Sequence, residues 1–240
     1  MRGWVLVTRP AHELQALAGA LADHGMEVVP YPVLQEVAAE DEPGWRRVSD
    51  SLARIAALFV TSPRAPRHLA EQAQRRGLWP ALAPLPTAAV GAATARACRQ
   101  WGLHVEREGN TGGEALAREM VGNLHSGQAV LHPTGRHHRE EAYNVFAAAG
   151  VDVCTVEVYD MLESEADALP PLPEAAPAAV LLTSPRAAEA YLRAAPPQLR
   201  RAPHFALGPT TATAAASLGV SPRTLSRPDP LLLVEELCKS

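Results

Sequence analysis

One stretch of this chain occurs twice, and an internal duplication constrains a fold more tightly than any local propensity. Ala57-Leu58-Phe59-Val60-Thr61-Ser62-Pro63-Arg64-Ala65 matches Ala179-Val180-Leu181-Leu182-Thr183-Ser184-Pro185-Arg186-Ala187, half a chain length further on. Downstream of each copy, Ala89-Val90-Gly91-Ala92-Ala93-Thr94-Ala95 matches Ala206-Leu207-Gly208-Pro209-Thr210-Thr211-Ala212. Upstream, Val5-Leu6-Val7-Thr8-Arg9-Pro10 leads to Gly25-Met26-Glu27-Val28-Val29, and Ala129-Val130-Leu131-His132-Pro133 leads to Gly150-Val151-Asp152-Val153. Three blocks recur in one order, so the 240 residues divide into two like halves of about 120, an ordinary domain size.

Each block has the same local character. A short apolar run rich in Val and Leu reads as a buried strand, a polar or Pro-containing turn follows, and a helix then closes near Gly. Val5–Val7 leads to a helix over about Ala11 to His24 ended by Gly25, and Leu58–Val60 leads to Pro63–Arg76 ended by Gly77. Ala88–Val90 leads to Ala92–Trp101, and Val130–Leu131 to His138–Ala149. In the second copy Val180–Leu182 leads to Pro185–Ala194, and Phe205–Leu207 to Pro209–Leu218. Strands alternating with helices require parallel sheets covered on both faces, so the expected fold is α/β, with two similar parallel-sheet βα domains. The Pro/Ala-rich stretches Leu169–Pro177 and Ala194–Pro203 read as surface connections. Tyr31–Ala38 and Cys154–Leu162 lack a helix signal, sit at equivalent places in the two halves and suit extended crossings between domains.

Composition narrows the partners. Apolar residues are 47% and charged residues 20%, enough for packed cores, while a net charge of −4 and a pI near 6.1 exclude a global electrostatic case for nucleic acid or an anionic membrane. Any anion site has to be local. Three cysteines without framework or metal spacing, Cys98, Cys154 and Cys238, suggest buried thiols in a reducing compartment. The apolar run at the N-terminus is too short for a signal peptide and no run reaches a membrane span, so a cytoplasmic protein is expected.

The repeated Thr-Ser-Pro-Arg loop carries the chemistry. Ser or Thr caps a helix, Pro suits the first helical position, and the free N–H groups beyond it favour an anion. In open α/β sheets, ligands bind at loops leaving the carboxyl ends of strands. Thr61, Ser62 and Arg64 in one half, and Thr183, Ser184 and Arg186 in the other, are therefore candidate binding residues. Gly91 with Thr94, and Gly208 with Thr210 and Thr211, add a second turn in each half, where Gly admits close approach and hydroxyls donate. Arg9 and Arg136 lie near strand ends. Such a set suits an elongated ligand with several carboxylates. The dinucleotide fingerprint and the phosphate loop are both missing, which disfavours a nucleotide enzyme. Ser62 and Ser184 lack a nucleophile elbow. His132-Pro133-Thr134-Gly135-Arg136-His137-His138 has no carboxylate or thiolate at ligand spacing and reads as a solvated loop, so no metal is expected. The acidic run Glu163–Asp167 reads as a solvated linker.

Taken together these blocks resemble the uroporphyrinogen-III synthase family. The resemblance rests on Val7-Thr8-Arg9-Pro10, Gly25-Met26-Glu27-Val28, Thr61–Pro63, Val90-Gly91 with Thr94, Val156-x-Val158-Tyr159, Thr183–Pro185 and Gly208–Ala212, in the family's order along the whole chain. It implies a discontinuous first domain, residues 1–35 plus 164–240, and a second domain, residues 36–163, joined by a two-segment hinge around an interdomain cleft. It also implies a cofactor-free cyclising lyase acting on hydroxymethylbilane, with loss of water and inversion of the terminal pyrrole ring through a spiro-pyrrolenine. A monomer is expected, with transient hand-over of substrate from the preceding enzyme. Tyr159 matches the family's tyrosine near the cleft, either assisting departure of the hydroxyl or only packing and positioning substrate. Arg64 and Arg186 stand where the family commonly has Asn. The rival reading is a non-catalytic two-lobed sensor or binding protein for a small polyanionic ligand.

Overall fold

The computed structural model describes residues 3–238, apart from the side chain of residue 198. In chain order it runs β1 (Trp4–Val7), α1 (Gln15–Ala22), β2 (Glu27–Pro30), β3 (Leu34–Ala38), α2 (Glu42–Ser51), β4 (Ile55–Val60), α3 (Ala65–Arg75) and α4 (Trp79–Leu82). There follow β5 (Pro86–Val90), α5 (Ala92–Gln100), β6 (His104–Gly109), α6 (Gly113–Val121), β7 (Ala129–Gly135), α7 (Tyr143–Ala148) and the long β8 (Asp152–Glu163). The chain ends through β9 (Ala179–Leu182), α8 (Pro185–Ala194), α9 (Pro197–Arg200), β10 (His204–Ala206), α10 (Pro209–Ala216), β11 (Arg223–Thr224) and α11 (Leu232–Cys238). These elements form two units, Met1–Gln35 with Leu162–Ser240, and Glu36–Met161.

The duplication reappears as topology. One sheet has the order β11-β10-β9-β1-β2 and the other β3-β8-β7-β4-β5-β6, with parallel pairing along β11 to β2 and along β8 to β6. Matching the repeated blocks, β9 corresponds to β4, β10 to β5 and β1 to β7, so both units share one order. The point at which the chain enters differs, and the second sheet carries β3 as an extra edge strand beside β8. In each sheet the order reverses once, between β1 and β9 and between β7 and β4, and such a reversal is where doubly wound sheets leave a crevice.

Packing on the faces agrees. In the first unit Leu6, Val180 and Leu182 pack with Ala188, Tyr191 and Leu192 of α8, while Val5, Val7 and Leu181 pack with Leu17 and Leu21 of α1 and Leu233 of α11. In the second, Leu58 and Val60 pack with Leu69 and Ala73 of α3, and Ala57 and Phe59 with Leu116 of α6 and Phe146 of α7. Strand alternation divides successive residues between the faces, and the helices after the two strands of each reversal lie on opposite faces.

Several local expectations need correcting. The helix after Thr61-Ser62-Pro63 begins at Ala65 rather than Pro63, with Pro66 in its first turn. A helix begun at Pro63 would place Pro66 where its missing N–H removes the first intrahelical bond. In the second copy Ser184 caps α8 and Pro185 opens it, as the motif leads one to expect. His132–Gly135 is not a solvated loop: β7 continues through it, paired with β8, and His132 is fully buried. Pro133 is tolerated because β7 pairs with β4 only as far as Leu131. The helix beyond starts at Tyr143, since His138 turns back to bond the Gly135 carbonyl at 3.1 Å. The first helix splits into a 3₁₀ turn at Ala11–Glu13 and α1, the connection after α8 holds the short α9, and Cys238 is exposed while Cys98 and Cys154 are buried.

A buried polar relay joins α2, α3 and β8. The indole Nε1–H of Trp45 donates to Gln72 Oε1 at 2.8 Å, and Gln72 Nε2 donates to the Val158 carbonyl at 2.7 Å. Both side chains are buried. Val158 keeps a second donor in the Ala39 N–H, so replacing Gln72 orphans chiefly the indole. We expect Gln72→Leu to destabilise the protein by roughly 1–3 kcal/mol, read as a lower urea midpoint with an unchanged denaturant slope.

Candidate functional site

At the reversal of the first unit the repeated threonine is closed onto its neighbour. Thr183 N–H donates to Thr8 Oγ1 at 3.1 Å, and Thr183 Oγ1 donates to the Thr8 carbonyl at 3.2 Å. Ser184 Oγ accepts the Ala187 N–H at 3.2 Å as a helix cap. Arg9 pairs with Glu13 at 3.1 Å, and Arg186 also has an interaction partner. Gly208 precedes α10 in extended conformation, Thr210 is exposed in its first turn, and Thr211 is buried.

The reversal of the second unit is open instead. A cavity of about 530 Å³ lies there, lined by Thr61 and Ser62 after β4, Thr134 of β7, Tyr159 of β8, the start of α6 at Thr111–Gly113, and the loop His137–Arg139. Gly112, at φ 103°, turns the chain into α6 without a side-chain cap, and Gly112, Gly113 and Glu114 at the start of that helix line the cavity. His137 and Arg139 are exposed on its rim. Of its two acidic residues, Glu114 is paired with Arg118.

Tyr159 and Ser62 are in direct contact there. The phenol donates to Ser62 Oγ at 2.9 Å, and the same oxygen accepts the Arg64 N–H at 3.3 Å. A serine oxygen has two lone pairs and one proton. With both lone pairs engaged, the Ser62 proton is available to a ligand. The ring of Tyr159 lies nearly parallel to that of His68, with centroids 6.0 Å apart. The ring also sits so close to Gly135 that a Cβ there would fall 2.6 Å from Tyr159 Cζ.

Behind this pair is a charged cluster. Glu36 bonds His68 Nε2 and Arg67 at 2.8 Å each and pairs with Arg64 at 3.0 Å. Burial alone raises the carboxyl pKa, but the bonds from His68 and Arg67 and the charge of Arg64 outweigh it and bring it down to about 2. Under the cavity floor, His132 bonds Thr61 Oγ1 through Nε2 at 3.0 Å and Tyr143 Oη through Nδ1 at 2.7 Å. Desolvation first, and the neighbouring His138 second, lower its pKa to about 3, so the ring is neutral around pH 7.

Of the residues singled out in the sequence, Thr61, Ser62 and Tyr159 thus meet at one cavity. Arg64 is drawn to Glu36, and Arg136 is tied to Glu157 at 3.2 Å and Asp160 at 3.3 Å. Gly91 takes φ 82° at the start of α5, and Thr94 is buried inside that helix. Sequence reasoning passed over Thr111–Gly113 and Arg139, and set His137 and His138 aside as part of a solvated loop. The paired glycines between a strand and a helix were the available signal for the first. Among the described residues no cluster could hold a metal ion, and no helix is long and apolar enough to cross a membrane.

Two doubly wound sheets, with a hydroxyl-lined cavity at the reversal of the second unit, define a protein of the doubly wound α/β class. The family model described as uroporphyrinogen-III synthase HemD matches residues 15–235. The chain belongs to the uroporphyrinogen-III synthase family. Its fold is similar to the crystal structure of uroporphyrinogen-III synthetase from Helicobacter pylori 26695, at TM-score 0.67 and 17% identity over 100% of this chain and 99% of that one. A mutant uroporphyrinogen III synthase from the extremely thermophilic bacterium Thermus thermophilus aligns at TM-score 0.59 and 20% identity over 99% of each chain. At these identities the likeness is one of fold.

Two outcomes follow from the site's packing. Gly135→Ala should push the Tyr159 ring from Ser62 and cost about 1–3 kcal/mol of stability, visible in a urea titration. Because the Glu36 pKa is depressed on folding, its stabilisation is complete above about pH 4.5 and is lost as pH falls toward 2. Glu36→Gln should therefore be less stable at pH 7 and show a flatter stability profile across that acid window.

Proposed function

We infer that this chain cyclises hydroxymethylbilane to uroporphyrinogen III, losing the terminal hydroxyl as water and inverting the last pyrrole ring before closure. The match to the family along residues 15–235 carries this reading. The cavity at the reversal of the second unit supplies chemistry suited to it. The substrate bears acetate and propionate groups, and amide groups at the start of α6, the hydroxyls of Thr61 and Ser62, and His137 and Arg139 on the rim offer donors to such carboxylates.

Hydroxymethylpyrroles expel hydroxide readily, so much of the rate enhancement comes from holding the chain in a reactive fold; orientation of this kind supplies several kcal/mol. Departure of hydroxide is eased by a proton. The Tyr159 proton is committed to Ser62, so the pair acts in series: Ser62 donates to the leaving hydroxyl while Tyr159 donates to Ser62. The other candidates for substrate binding, Arg9, Arg64, Gly91, Thr94, Arg136, Thr183, Ser184, Arg186, Gly208, Thr210 and Thr211, belong in this reading to the turns and helix starts at the strand ends of the two units. The chain works as a cytoplasmic monomer that takes its labile substrate by transient hand-over from the enzyme that makes it. No specific feature favours a non-catalytic sensor.

The assay supplies hydroxymethylbilane and separates the uroporphyrin isomers after oxidation. Isomer III is expected; only isomer I, the product of spontaneous closure, would remove the enzymatic reading. Tyr159→Phe and Ser62→Ala should each lower kcat by about tenfold or more with the fold retained by circular dichroism, and near-normal turnover in both would reduce the pair to packing.

A further inference from the structure

We propose that His132 is a positioning residue whose Nε2–H donates to Thr61 Oγ1, leaving the Thr61 hydroxyl proton to donate to an anionic group of a ligand in the cavity. The proposal rests on the reading above for its ligand, and on geometry for its direction. A neutral imidazole has one donor and one acceptor nitrogen, so the partner of one fixes the role of the other. At Nδ1 the partner is the Tyr143 hydroxyl at 2.7 Å and at Nε2 it is the Thr61 hydroxyl at 3.0 Å; a phenol is far more acidic than an aliphatic alcohol and is the stronger donor to the imidazole lone pair, which places that lone pair at Nδ1 and the N–H at Nε2. Tyr143 Oη is also 3.2 Å from Thr155 Oγ1. With the phenol proton directed to Nδ1, the threonine donates to the phenol oxygen. The bonds then run in one direction, from Thr155 through Tyr143 and His132 to Thr61.

Burial keeps both rings in the neutral forms that this assignment needs. His132 is fully buried, and rings of Phe59, His138 and Tyr143 lie 5.1, 5.8 and 5.6 Å from it. Its low pKa keeps it from becoming a double donor, and burial raises that of Tyr143, keeping the phenol protonated. The corresponding threonine of the first unit provides the contrast. Thr183 directs its proton to the Thr8 carbonyl, so it has none to offer a ligand. With an imidazole N–H in place of that carbonyl, the polarity at Thr61 is reversed. Thr61 also lines the cavity, where a proton directed outward meets the ligand.

Nitrogen-15 spectra of histidine-labelled protein, using two-bond ring correlations, read the tautomer directly. The His132 signals are assigned by their loss in His132→Phe or, should that variant not fold, in His132→Gln. Protonated Nε2 with bare Nδ1 is expected; the opposite tautomer would overturn the proposal. In the cyclisation assay, Thr61→Val and His132→Phe should each lower kcat/KM about tenfold, mainly through KM, and the double variant should be no worse than either. Losses that multiply to about a hundredfold would show that the imidazole acts independently of Thr61 and would also overturn it. Wild-type protein that yields only isomer I would instead sink the cyclase reading, while the nitrogen spectrum would still decide the direction of the bond to Thr61.

Discussion

Everything at the candidate site depends on the reversal of strand order between β7 and β4. Because the chain leaves these strands toward opposite faces of the sheet, neither following helix covers the gap between them. Backbone groups and short polar side chains therefore gather at the carboxyl ends with no apolar roof. The bond between Thr61 and His132 spans that gap. It ties the end of one strand to the other where backbone pairing has stopped, since β4 and β7 pair only as far as Leu58 and Leu131.

Polar groups inside the second unit are largely taken out of water, and this decides how rigid it is. Leaving a buried donor unpaired destabilises more than a single hydrogen bond stabilises, and Trp45 with Gln72, and His132 with Tyr143, pair accordingly. Glu36 shows the same logic with charge. Its carboxylate is partly removed from water and stays ionised because a histidine and two arginines converge on it. His68, fixed by that carboxylate, stacks on Tyr159, and Gly135 leaves room for the ring beside β7. The phenol is thereby aimed at Ser62 by packing rather than by its own bond.

The α/β class and the strand–helix alternation were legible because hydrophobic runs, turn residues and terminal glycines repeat in both halves. Gly25, Gly77 and Gly150 do adopt positive φ where the helices before them end. The strand order was not legible, since it depends on which runs pair across the chain. Nor was the interior role of His132. In sequence it stands beside Pro, Gly, Arg and two further histidines, all signs of a loop, and only the continued pairing of β7 with β8 takes it inside. The helix start at Ala65 was obscured for a related reason: two prolines three residues apart, Pro63 and Pro66, cannot both open one helix. Thr61, Ser62 and Tyr159 were recognisable as candidates, but that the last two touch is a tertiary fact, separated by 97 residues of chain.

The same four letters, Thr-Ser-Pro-Arg, take on different roles in the two units. In the second copy Ser184 accepts an amide from its own helix and Thr183 closes onto backbone, so the motif completes a helix start and a strand joint. In the first copy Pro66 moves the helix onward, and Ser62 is released from full capping duty to meet Tyr159. Thr61 finds an imidazole in place of a carbonyl. The divergence requires no change in the sheet, only a second proline, a histidine in β7 and a tyrosine in β8. A duplicated helix cap, good for an anion in general, becomes in one copy a pair of oriented hydroxyls because the neighbouring strands supply partners that the other copy lacks.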